Sequence, residues 1–156
     1  MATYSASNEL GGTRQALAAT YKTQLSLTGT TATLTTAGVF EFGIGTLGTP
    51  ADNVLEYDVS RITAVGIGTA VVATAIDSGK RAAGTTGTAN HTTEPTVTAA
   101  SSLYEQAWNQ RQACRWQAID RDAELVVPAT NAAGLAFRAK SAVYTGTVTC
   151  YALLRE

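Results

Sequence analysis

Leu135-Ala136-Phe137-Arg138-Ala139-Lys140 alternates, with Leu135, Phe137 and Ala139 on one side and Ala136, Arg138 and Lys140 on the other. A period of two places successive side chains on opposite faces of a pleated strand, and an apolar face opposite a basic one describes a strand half in a core. The segment follows Thr130-Asn131-Ala132-Ala133-Gly134, a turn by composition. Strand patterns flank it on both sides: Glu124-Leu125-Val126-Val127-Pro128 before, and Val148-Thr149-Cys150-Tyr151-Ala152-Leu153-Leu154 after.

The same rhythm extends toward the N-terminus. Leu25, Leu27, Ala32 and Leu34 alternate with Ser and Thr, predicting half-buried strands around a Thr28-Gly29-Thr30 turn. Val39-Phe40-Glu41-Phe42-Gly43-Ile44 has bulky residues on both faces. The segment Leu47-Gly48-Thr49-Pro50-Ala51-Asp52-Asn53 gathers turn residues ahead of the strand Val54 to Val59. One or two strands are expected over Ile62 to Ile76, where Gly66 and Gly68 imply a bulge or a close backbone approach. Asp77-Ser78-Gly79-Lys80 reads as a turn, and Arg81 to Asn90, which has no large apolar residue, as a mobile loop. Strand signals return in Thr96 to Thr98, Leu103 to Glu105, Ala107-Trp108 and Cys114 to Ile119. Over Ser101 to Cys114 a helix is the alternative, because Leu103, Ala107, Trp108 and Gln110 fall near helical spacing. Eight to ten short strands with no long helices predict an all-β, antiparallel sandwich of jelly-roll type. Residues 21–156 form this single domain. Residues 1–20 fit either a short helical turn or an extended N-terminal arm, and the arm is the expectation.

Composition agrees. A chain of 156 residues buries roughly 70% of its unfolded surface as one domain. Charged residues make up 15%, below the usual ~25%, and threonine, a β-branched strand former, carries the polar quota. Eleven basic residues against twelve acidic ones, evenly spread, leave no basic stripe to neutralise phosphates, so direct nucleic-acid binding is not expected. Met1 to Leu10 lacks a secretory pattern. Even the longest weakly apolar run, Val65 to Ile76, is too short and too broken to span a membrane. Without export, Cys114 and Cys150 are expected as buried, reduced thiols, and the Asn90-His91-Thr92 triplet carries no weight as a glycosylation site.

Motifs that carry chemistry fail on context. Gly43-Ile44-Gly45-Thr46-Leu47-Gly48 matches the dinucleotide fingerprint, but the glycines lead into a turn and another strand where the phosphate-binding helix should begin. Asp120, Asp122 and Glu124 alternate as in a calcium loop, yet the glycine and the later bidentate acid are missing and Arg121 sits among them. His91 is the single histidine, which removes histidine-pair zinc sites and leaves one candidate base with no nucleophile elbow to serve. Cys114, flanked by Arg115 and Trp116 in a strand pattern, reads as a small buried residue. Trp108 and Trp116, with Tyr104, fit either a stacking platform for sugars or bases, or core packing, and packing is favoured. Arg111 and Arg115 beside them suit interface anchoring. The reading is of a protein that is not an enzyme, with no catalytic, cofactor or metal residues.

A set of segments resembles small virion proteins of tailed bacteriophages. They are Ser101-Ser102-Leu103-Tyr104-Glu105, Asn109-Gln110-Arg111, Arg115-Trp116, Glu124 to Thr130, Gly134 to Ser141, Tyr144-Thr145-Gly146-Thr147-Val148, and Gly48 to Asn53 with the strand after it. The resemblance is to capsid cement, or decoration, proteins. It implies a jelly-roll-type sandwich, often a homotrimer, made in the host cytoplasm and seated on the capsid exterior, where it bridges major capsid protein subunits and stabilises the head. It carries over no site residues. An N-terminal arm over Ala2 to Thr20 would suit a reach to a neighbouring subunit. The alternatives are a glycan-binding sandwich on a tail or fibre, or a small jelly-roll coat protein, the latter disfavoured by the lack of a basic arm.

Overall fold

The structure is a computed structural model and describes residues 1–9, 13–30, 35–49 and 51–156. Its strands are β1 (Thr3–Ser7), β2 (Lys22–Gly29), β3 (Ala37–Thr46), β4 (Val54–Ala64), β5 (Ile67–Val72), β6 (Thr74–Ala75), β7 (Thr85–Thr93), β8 (Thr96–Asn109), β9 (Cys114–Gln117), β10 (Leu125–Val127), β11 (Gly134–Lys140) and β12 (Val148–Arg155). No helix forms among the described residues. The first sheet runs β10-β3-β12-β1-β6, with β9 also pairing β3, and the second runs β5-β7-β2-β11-β4-β8. Every strand pair is antiparallel. The chain is an all-β sandwich, as its period-two pattern predicts.

With β5 to β7 set aside, the chain pairs as one long hairpin: β1 with β12, β2 with β11, β3 with β9 and β10, and β4 with β8. From β1 to β4 successive strands step between the two sheets, and so do β8 to β9 and β10 to β12. The inserted segment widens both sheets, β6 adding beside β1 and the β5–β7 pair beside β2.

The core lies where the inward rows of the two sheets meet. Leu135, Phe137 and Ala139 of β11 are fully buried in the core, while Arg138 and Lys140 on the other face are half-buried and Ala136 beside them is covered, so the alternation shows at its larger residues. The inward row of β4, Leu55, Tyr57 and Val59, packs beside them, and Phe42, Ile44, Ala152 and Leu154 face them from the first sheet. Phe42 is the hinge of the aromatic packing. Its ring stacks on Trp116 (centroids 5.2 Å apart), meets Tyr104 edge-on (5.3 Å) and leans on Phe137 (5.3 Å).

Four expectations need correction or closer definition. Arg81 to Asn90 is not a loop throughout, because from Thr85 it becomes β7, hydrogen-bonded between β2 and β5. Its small residues suit crowding: a Cβ on Gly87 would lie 3.0 Å from Val71 Cβ, and Ala89 is fully buried. The helical alternative over Ser101 to Cys114 is overturned, since β8 holds an extended backbone to Asn109 against β4. Thr28-Gly29 does not turn. It ends β2, whose residues Thr23 to Gly29 are all buried, and Gly29 is needed for a close approach, a Cβ there lying 2.9 Å from the Pro128 carbonyl. The strand expected at Ala32 and Leu34 lies outside the described residues.

The N-terminal segment is extended as expected but does not reach away from the body. Residues 3–7 are β1, set between β12 and β6, and Tyr4, Ala6 and Leu17 are buried in the core. The glycine expectation holds in both its forms: Gly66 takes φ +75° with a would-be Cβ 2.2 Å from the Thr93 carbonyl, and the β5–β7 register shifts between Ile67 and Thr69.

Candidate functional site

The residues singled out for chemistry are dispersed, and each is held by structural bonds. Gly43 and Gly45 lie within β3, and Gly48 sits in the following loop at φ +110°. Tyr151 fills the space beside Gly43, where a Cβ would come within 2.2 Å of its ring. Among the acids, Asp120 Oδ1 accepts the Ala123 amide (2.9 Å), closing its own turn. Glu124 instead leaves the group to pair with Arg155 Nη2 (2.6 Å) and lies against Gly38. Among the described residues, no three of His, Cys, Asp and Glu gather to hold a metal ion.

His91 is buried in β7, with Nε2 3.2 Å from Ser26 Oγ and Nδ1 3.3 Å from the Thr23 carbonyl. The serine–histidine contact looks catalytic in isolation. Ser26, however, is fully buried in the middle of β2, where no substrate carbonyl can approach. Burial holds the imidazole below its ordinary value of 6.5, opposed by its bond to Thr23 and by the charge of Glu94. The unfolded chain therefore binds a proton below pH 6.5 that the folded chain resists. The contribution of His91 to stability is complete above pH 6.5 and is lost as pH falls below it. Chemical denaturation is expected to show a lower midpoint at pH 5 than at pH 7.5, and His91→Gln should flatten that difference. Glu41 does not interfere in this window. The hydrogen bond from Arg115, then that from Tyr151, holds its carboxyl below 4.5, so its own loss falls at more acid pH.

Cys114 and Cys150 are buried free thiols, as expected. They cannot join in this fold. Both pair directly with Ile44, one from each side of β3, so two strand spacings of about 4.8 Å separate their backbones. A disulfide needs Cα atoms within about 7 Å. Burial pushes both thiols up, and Tyr104 Oη lies 3.2 Å from Cys114 Sγ.

Trp108 and Trp116 do not share a strand. The turn closed by the Gln112 amide on the Asn109 carbonyl (2.9 Å) sends them to β8 and β9, in different sheets, where both pack on the core. Arg115 holds Glu41 (2.6 Å) and Arg111 holds Asp52 (2.9 Å).

Two surface features escaped the sequence reading. On the outer face of the second sheet, Arg138 bonds the buried Asp58 carboxylate through Nε (2.7 Å) and Nη2 (2.6 Å), and Ser60 Oγ donates to the same oxygen (2.7 Å). Arg138 and Lys140 each lie 4.7 Å from the centre of the Tyr21 ring. Burial, then Glu105, pushes the Tyr21 hydroxyl up to about 12. A cavity of about 280 Å³ opens beside this cluster, lined by Ser60, Ser101, Ser102 and Glu105 among others.

The second feature is at one end of the sandwich, where Leu47, Val54 and Val143 expose 39%, 57% and 65% of their surfaces. Hydrogen bonds knit their backbones together. Ser141 Oγ donates to the Val54 carbonyl (2.8 Å) and accepts the Val143 amide (3.3 Å), the Leu47 amide donates to the Thr147 carbonyl (3.0 Å), and Tyr144 Oη donates to the Leu47 carbonyl. Val54 opens β4 while Leu47 and Val143 lie in loops, so the three exposed aliphatic side chains stand on hydrogen-bonded backbone. Sequence patterning cannot find them, because an exposed valine and a buried one read alike. No protein-family model, curated protein or solved structure matches the chain.

Proposed function

We propose that this protein is a structural virion component, a cement protein that binds the exterior of a phage capsid and bridges major capsid protein subunits without catalysing a reaction. The observation that carries the reading is the apolar end formed by Leu47, Val54 and Val143, whose backbones are tied by hydrogen bonds. A rigid apolar contact without a chemical centre suits a part that works by adhesion. Several weak contacts of this kind suffice on a shell, because each later contact is effectively intramolecular. The resemblance in the second half of the chain supports the same role.

The placement of the aromatic residues favours this reading over the glycan-binding alternative. Trp108 and Trp116 pack on the core, and the Tyr21 ring, the aromatic beside the cavity, is covered by cations.

The test is co-sedimentation with assembled shells of the cognate major capsid protein, followed by their thermal disruption. Binding and a raised disruption temperature are expected. Val54→Asp with Val143→Asp should weaken binding by tenfold or more, by about 1.4 kcal/mol or more, while leaving the unfolding midpoint in place. A protein that ignores intact shells would overturn the reading.

A further inference from the structure

Three of the four sheet edges are short or irregular. In the first sheet one edge is the two residues of β6 and the other is shared by β9 and β10, with four and three residues. In the second sheet β5 is entered through Gly66 and shifts register at its start. Brief and bulged edges are how β proteins avoid unwanted pairing. The fourth edge is irregular in its first half, where the register against β4 shifts three times between Val59 and Ala64 and Ala100 takes φ +52°, and regular beyond it. β8 has fourteen residues, bonds to β4 alone, and from Tyr104 to Asn109 runs without a register shift against Val59 to Val54. That run, Tyr104-Glu105-Gln106-Ala107-Trp108-Asn109, has one charge and neither lysine nor proline.

The hydrogen-bond phase of this edge follows from its end. The Gln110 amide donates to the Asn53 carbonyl (2.8 Å), and bonded pairs alternate along an antiparallel ladder. Trp108, Gln106 and Tyr104 therefore point their amides and carbonyls at β4, and those of Glu105 and Ala107 point out of the sheet.

We propose that this edge binds the same edge of a second copy of the chain, antiparallel, about a twofold axis through Gln106. In that register Glu105 of each chain faces Ala107 of the other, and the two pairs exchange four backbone hydrogen bonds. Gln106 meets its own copy. Tyr104 meets Trp108 of the second chain on the core side, where both rings are half-buried, forming two cross-strand aromatic pairs. Neighbouring registers are worse. An axis through Glu105 sets two carboxylates directly opposite. An axis through Ala107 sets Glu105 against Asn109, whose carbonyl already accepts the Gln112 amide and whose Oδ1 accepts the Arg111 amide. The sequence of the edge is thus complementary to itself in charge and in bonding phase, as an isologous contact requires. The inference concerns the isolated protein and does not depend on shell binding.

Sedimentation equilibrium over a dilution series, without shells, tests it. The expected species has twice the 16.2 kDa mass of the chain. Ala107 is exposed, so replacements there should leave the fold intact, which circular dichroism checks. Ala107→Glu places like charges opposite each other twice and should weaken association about tenfold. Ala107→Lys places lysine opposite Glu105 and should maintain or tighten it. A monomer throughout the series, a trimer, or equal weakening by both replacements would overturn the proposal. Loss of shell binding with the dimer intact would instead count against the proposed function alone.

Discussion

Phe42→Ala is expected to lower the free energy of unfolding by about 4 kcal/mol, the range for a phenylalanine removed from a closed core. The site cannot collapse to fill the void. Phe42 is fully buried, and its three aromatic neighbours come from β8, β9 and β11, so the ring ties the first sheet to the second across the seam beside the β8 edge. Each neighbour is fixed elsewhere: Phe137 within β11, paired on both sides, Trp116 by β9, and Tyr104 by its hydroxyl on Gln106 Oε1 (2.5 Å) and Cys114 Sγ. Chemical denaturation monitored by tryptophan fluorescence reads the loss directly, and Trp116 should report a changed environment even while the variant remains folded. A cost below about 1.5 kcal/mol, the size of a tolerated volume-conserving change, would mean that the seam repacks and the aromatic cluster is not what joins the sheets.

That centre was half legible. Val39 to Ile44 announces a strand with bulky residues on both faces, and the alternation in Leu135 to Lys140 announces its partner, because apolar periodicity is written locally. What periodicity cannot carry is which strand lies beside which. β7 hid for this reason. Its Thr, Gly and Ala residues resemble a loop until β2 and β5 close on both sides and leave room for nothing larger. Trp108 and Trp116 show the same limit, since the turn after Asn109 places them in different sheets although both pack on one core. The exposed aliphatic end was least legible of all. Val54 and Val143 are indistinguishable in type from core valines, and only their places, at the first residue of β4 and in the loop after β11, reveal that they face water. The place of the Gly43 to Gly48 glycines needed less, because a strand followed by a turn is written locally, and they do lie in β3 and the loop after it.

Removing residues 2–8 should cost about 5 kcal/mol, a loss comparable to the whole stability of a marginal domain. A free arm would cost almost nothing, so this deletion separates the two accounts of the N-terminus. Tyr4 is fully buried, and burying a side chain of that size contributes about 1.5–3 kcal/mol. Asn8 adds two side-chain hydrogen bonds to β12: Nδ2 donates to the Val148 carbonyl (2.9 Å) and Oδ1 accepts the Cys150 amide (2.8 Å), each contributing about 1 kcal/mol. β1 also covers one side of β12 from Tyr151 to Arg155. Without it a central strand becomes an open edge whose one charge, Arg155, lies at its end, so the truncated chain is expected to aggregate as well as to melt earlier. Calorimetry and light scattering on the deletion variant read both effects. An unchanged transition would show that the segment is dispensable to the fold and restore it as a limb free to reach a neighbour. A collapsed transition means that the proposed bridging would have to come from the body of the sandwich, because β1 is already committed to its own sheet.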